Sequence, residues 1–141
     1  MTTSPSLDEF LSVARREFEF LVSDFGFIEH RDGATANPFS VSYRSAAVAI
    51  TVEGIQWGFG VQVMLSCLQP ASGIPASVPL WALVQLRAPD ESRVVSGQLA
   101  QLALDASLLR RCTADILSGD FTVFPAAMRV VEQSAQDTKR V

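Results

Sequence analysis

The sequence predicts an α+β domain built on one antiparallel sheet. Three observations carry that prediction. Apolar residues recur every three or four positions up to residue 25, three segments between residues 39 and 65 alternate with a period of two, and helical spacing returns after residue 92. Strands that run together and helices that run together mark α+β organisation. Clean alternation with short turns marks an antiparallel meander with one face on the core. The expected architecture is an N-terminal helix, a meander of about four strands, then two or three helices packed on one sheet face. One globular domain over 1–141 is expected, with 1–5 and 137–141 frayed.

The first helix is expected over about 6–24. Ser6 and Glu9 have the spacing of a capping box, and Asp8 adds negative charge near the helix N-terminus. Leu7, Phe10, Leu11, Ala14, Phe18, Leu21, Val22 and Phe25 share one face, and Gly26 follows as the stop. Phe27-Ile28-Glu29 suits a short strand, and Arg31-Asp32-Gly33 a turn.

In the first alternating segment Phe39, Val41 and Tyr43 oppose Ser40, Ser42 and Arg44. In the second, Val48, Ile50 and Val52 oppose Ala49, Thr51 and Glu53. In the third, Trp57, Phe59, Val61, Val63 and Leu65 oppose Gly58, Gly60, Gln62 and Met64. Residues 53–56 read as the connection between the last two.

Residues 66–79, with three prolines and a glycine, read as a loop. Residues 79–86 suit either a helix, because Pro79 fits a first helical position, or a strand; helix is the reading adopted. A long helix is expected over about 92–118. Val95, Leu99, Leu102, Ala106, Leu109, Thr113 and Ile116 form its stripe, and Gly119 ends it. The heptad-like spacing lasts only about three heptads without charged flanks, so packing on the sheet is favoured over a coiled coil. A last helix is expected from Pro125 to about Gln136.

Bulk properties narrow the function classes. Charged residues make up 18% of the 141, against a usual value of about 25%, and mean hydropathy is +0.25. No apolar run approaches the ~20 residues of a membrane span. The N-terminus lacks a basic start and an apolar stretch, so no signal peptide and a cytoplasmic location are expected. Cys67 and Cys112 then read as free thiols acting as small hydrophobes. Net charge is −4 and pI about 4.9. Basic residues come at most in pairs, so nucleic-acid binding is not expected. Ten arginines to one lysine, with frequent Ala and Val, fit a GC-rich bacterial genome.

Chemical motifs are sparse. His30 is the single histidine and sits beside a turn, so it reads as a solvated side chain rather than a base. No serine lies in a nucleophile-elbow pattern. One histidine and two separated cysteines do not compose a zinc site. Asp24-Phe25-Gly26 spells the kinase magnesium triplet without its companion motifs and reads as chance. Gly54, Gly58 and Gly60 lack the following helix and lysine of a phosphate loop, and are read as smoothing the sheet's second face. No cofactor, metal or catalytic residue is expected.

The second sheet face is the informative feature. Ser40, Ser42, Ala49, Thr51, Gly58, Gly60, Gln62 and Met64 are small or uncharged, with Arg44 and Glu53 at the margins. A solvated face ordinarily carries longer charged side chains, and small residues let another backbone approach closely. The face is therefore expected to be covered, by the chain's own terminal helix or by a partner, with a ligand groove as a third option. Trp57 reads as core, whereas Trp81 is open to a contact role.

The amphipathic segment Phe20-Leu21-Val22-Ser23-Asp24-Phe25-Gly26-Phe27, the meander with Tyr43 and Val48 to Glu53, and the late Asp115-Ile116-Leu117-Ser118-Gly119-Asp120-Phe121 together span most of the chain. In this pattern the chain resembles small bacterial α+β proteins, including immunity proteins of polymorphic toxin systems. That resemblance implies action by binding, with no defined site residues; such proteins are often acidic because many nuclease toxins are basic. The expectation is a non-catalytic protein-binding domain, immunity-like or adaptor-like, contacting a protein partner or a second copy through Ser40, Ser42, Thr51, Gly58, Gly60, Gln62 and Trp81. The alternative is a small-ligand domain or minor enzyme with a pocket between the long helix and the sheet, marked by His30 or a strongly perturbed carboxylate.

Overall fold

The computed structural model describes residues 5–30, 37–55, 60–69, 74–92 and 95–139. Helices α1 (Leu7–Glu17) and α2 (Phe20–Ser23) lead into strands β1 (Ile28–His30), β2 (Ser40–Arg44), β3 (Val48–Ile55), β4 (Gly60–Cys67) and β5 (Ser77–Pro79). Helices α3 (Leu80–Arg87), α4 (Gln98–Cys112), α5 (Ala114–Leu117) and α6 (Phe124–Lys139) complete the chain. The strands form one antiparallel sheet in sequence order, a simple meander, so the fold is α+β.

The capping box forms: Glu9 N–H donates to Ser6 Oγ at 3.2 Å, and Ser6 N–H to Glu9 Oε1 at 3.2 Å. The expected single helix over 6–24 is interrupted at residues 18–19. Both Phe18 and Phe20 are then buried, with their rings stacked at 6.4 Å. An unbroken helix turns successive even positions by about 200°, so it would point one ring away from the core. Gly26 stops α2 at φ +73°. Its N–H and that of Phe27 return to Val22 O and Leu21 O at 3.2 and 2.9 Å.

β3 runs through Ile55, so residues 53–55, expected as a turn, belong to the strand. A fifth strand lies within the expected loop, where Ser77–Pro79 pairs with Ser66–Met64. The ambiguous apolar run holds both structures, with Pro79 ending β5 and standing as the N-cap of α3. α3 buries Leu80, Ala82, Leu83 and Val84, nearly all round. It is enclosed by α4, α6, β4 and β5, as a helix without a polar face must be.

The long helix begins later and ends sooner than its stripe suggests. Gly97 at φ +96° precedes it, so Val95 stands outside and is 39% exposed. At its end the Thr113 hydroxyl donates to Leu109 O at 2.6 Å, taking an acceptor that helix continuation would share. The chain re-forms as α5 and stops at Gly119, φ +103°.

Register divides the sheet into two faces. Tyr43, Ile50, Leu65 and Val78 are cross-strand neighbours, as are Val41, Val52 and Val63. All are buried. Over this face lie α1, against β2, α4, against β4, and α3, against β4 and β5, with α4 touching both of the others. α6 packs on α3 and β5 at the sheet's end. Phe10, Phe18, Leu21, Leu83, Leu102, Leu109 and Phe124 complete the core.

Gly54 belongs to this core face, which corrects its assignment to the second face. A Cβ there would meet Gln98 Nε2 at 2.8 Å, Phe39 Cβ at 3.1 Å and Phe10 Cε2 at 3.2 Å. Gly54 is small because α1 and α4 press on it. Trp57, Gly58, Phe59 and the Arg31–Gly33 turn lie outside the described residues.

Ion pairs tie the helices together at the surface. Arg87 grips Asp115 at 2.6 and 2.7 Å and also donates to Cys112 O at 2.7 Å. Arg110 reaches Asp24 at 2.8 Å, with its guanidinium 5.5 Å from the Phe20 ring centre. Asp24 of the kinase-like triplet is thus held in a structural contact. No described helix is long and apolar enough to cross a membrane.

Candidate functional site

Among the described residues no helix packs extensively on the second face of the sheet. Its central row runs across all five strands: His30, Ser42, Thr51, Met64 and Pro79. On one side lies the row Ile28, Arg44, Ala49, Ser66 and Ser77, and on the other Ser40, Glu53 and Gln62. Ile55 and Gly60 end the face. Alternation dictates this grouping, since each member is two residues from the next on its strand.

The terminal helix packs on α3 and β5, so any cover it gives lies at the β5 end, where Pro79 is buried, and it makes no extensive contact with β2, β3 or β4. Ser40, Ser42, Thr51, Glu53 and Met64 are half-buried, whereas His30, Arg44 and Gln62 are exposed. Short side chains shield one another here, and Ala49 is 9% exposed. At the β1 edge Ile28 stands 74% exposed, the most open of the large hydrophobic residues described. Ser66 Oγ and Ser77 Oγ share a hydrogen bond of 2.8 Å across β4 and β5.

Of the expected contact residues, the structure brings together Ser40, Ser42, Thr51, Gly60 and Gln62. Gly58 lies outside the described residues. Trp81 is separate, half-buried in the first turn of α3. Sequence reasoning missed Ser77 and Pro79 because a three-residue strand inside a proline-rich segment leaves no alternation to count. It missed Ile28 because β1 is equally short.

A second polar feature lies on the helix side. Gln98, Gln101 and Asp105 share one face of α4. Gln98 is buried; its Nε2 donates to Gly60 O at 2.8 Å, and its Oε1 has no partner. Gln101 Nε2 donates to Asp105 Oδ1 at 2.9 Å. Burial pushes the Asp105 carboxyl up to about 6, and the Gln101 hydrogen bond opposes that rise. The i, i+3, i+7 spacing of these polar residues beside the leucine stripe was a readable signal that the helix assignment passed over.

On β1, Glu29 points to the core side, where Arg15 of α1 holds it at 3.0 and 3.4 Å. Its cross-strand neighbour Tyr43 is pushed up to about 12, by burial first and then by the Glu29 charge. A third feature is an open groove of about 470 Å³ between α3 and α6, which Leu86, Arg129, Val130 and Gln133 help to line.

These placements bear on chemistry. His30 is on the open face and Cys67 on the core face, so the two cannot meet. Asp105 lies on α4 over the core face, on the other side of the sheet from His30. Cys67 and Cys112 are free thiols, one buried and one half-buried. Among the described residues no three His, Cys, Asp or Glu side chains gather as a metal would require. Comparison with protein-family models, with curated proteins and with solved structures finds no match to this chain.

Proposed function

We propose that this protein is a non-catalytic binding domain that presents its open sheet face to a protein partner, in the manner of an immunity protein or an adaptor. The observation that carries this reading is the asymmetry of the sheet. One face lies under α1, α4 and α3, while the other keeps small, mostly uncharged residues and, among the described residues, no extensively packed helix. A flat patch of Ser, Thr, Ala and Gly suits close approach of another surface better than it suits solvent. A bacterial cytoplasmic setting belongs to the same proposal.

The test is quantitative capture from host extract with wild-type protein and Thr51→Arg. Thr51 is central on the open face, so a long charged side chain there blocks approach without touching the core. A partner held by wild type and lost by the variant, with unchanged circular dichroism, supports the reading. Equal capture by both removes the face from the interaction.

A small-ligand function has one observation in its favour: Gln98 Oε1 and the Asp105 carboxyl are polar groups buried beneath α4. Titration of wild type and Asp105→Asn with candidate metabolites, read by thermal shift, tests it.

A further inference from the structure

We propose that the occupant of the open face is a second copy of this chain, packed sheet to sheet about a two-fold axis along the His30–Ser42–Thr51–Met64–Pro79 row. This rests on the reading of that face as a binding surface. Its own support is the placement of two charges.

Five described arginines are held by carboxylates within the chain: Arg15 by Glu29, Arg16 by Glu17, Arg87 by Asp115, Arg110 by Asp24 and Arg111 by Glu91. Two described arginines make no such pair, Arg129 on α6 and Arg44 on the open face, and Glu53 on the open face makes none either. Arg44 and Glu53 cannot pair with each other. Arg44 lies opposite Ala49 and Glu53 opposite Ser40, four residues apart along the strands, or roughly 13 Å.

A two-fold axis along the central row changes that. It reverses strand direction, so the Arg44 row of one copy faces the Ser40–Glu53–Gln62 row of the other. Arg44 then stands over Ser40 of the second copy, one strand from Glu53, and the symmetry makes the contact twice. The opposite charges sit on either side of the axis, as an isologous interface requires. Between them Ser42 and Thr51 are short enough for the sheets to approach. Five strands spaced about 4.8 Å, with about five residues each, give a footprint of roughly 24 by 16 Å. That is about 400 Å² per copy, roughly half the area of a standard specific interface, so the dimer is weak and reversible.

The experiment is sedimentation velocity on four samples across a micromolar concentration series. Wild type should shift from monomer to dimer. Arg44→Glu and Glu53→Arg should each lose at least tenfold in self-affinity, because each places like charges across the axis. Mixing these two variants should yield a one-to-one heterodimer, since each then offers what the other lacks. The double variant Arg44→Glu/Glu53→Arg should associate as wild type does, which shows that the single changes act through charge and not through misfolding. Wild type that stays monomeric throughout, or a mixture that forms no heterodimer, overturns the proposal. If wild type stays monomeric yet captures an extract protein that Thr51→Arg loses, the second copy is wrong and the binding face stands. If neither association is seen, both readings fall.

Discussion

The two faces of this sheet come from the same strands and differ by one residue in register. On the core face Val48, Ile50, Val52, Val63 and Leu65 are buried under three helices. On the other, Ser42, Thr51, Met64 and Ser66 remain half-buried with no described helix packed extensively over them. Period two alone does not tell which face a protein covers. Side-chain volume does: branched aliphatics give the helices surface to bury, whereas serine and threonine give them almost none. The open face is therefore not an unfinished core.

Neighbouring residues on β4 give the sharpest contrast. Leu65→Ala should cost about 3 kcal/mol in urea unfolding, through lost transfer energy and a cavity beneath α3 and α4. Met64→Ala, one residue away on the open face, should cost under about 1 kcal/mol. Similar losses at both positions would break the comparison.

The helix layer carries its own cost at Asp105. Its folded-state value of about 6 lies above the ordinary 3.8, so the folded state holds the proton more tightly than the unfolded one. Stability from this group is intact below 3.8 and declines as pH rises from there to about 6. Asp105→Asn should accordingly stabilise by up to about 3 kcal/mol at pH 7 and by little at pH 4. A gain independent of pH would assign the effect to packing instead. Smaller again, Ser6→Ala removes the capping box of α1 and should cost about 1 kcal/mol. Thr51→Ala on the open face should fall within about 0.5 kcal/mol of wild type.

Much of this fold was legible in the sequence. Ser6 and Glu9 declared the first cap, alternation fixed β2 to β4 and both their faces, and Gly26 and Gly119 marked the helix stops. Illegible features depended on tertiary contact. The break at Phe18–Glu19 arises because Phe18 and Phe20 both seek the core. Gly54 looked like a surface residue until Phe10 and Gln98 were found against it. β5 exists because β4 offers it an edge, not because Ser77-Val78-Pro79 insists on a strand. For the candidate site, composition identified the face, but only the packing of α6 on α3 and β5 showed that the face is open.

Use of the open face can be read from its methionine. Met64 lies on it, and Met128 lies on α6, also half-buried. Peroxide oxidation of Met64 and Met128, followed by mass spectrometry, compares dilute purified protein with concentrated purified protein and with dilute protein in host extract. Met64 oxidation should slow on concentration if the occupant is a second copy, or in extract if it is another protein, while Met128 is unchanged. Equal Met64 rates in all three conditions, or protection of Met128 alone, would contradict the use of this face.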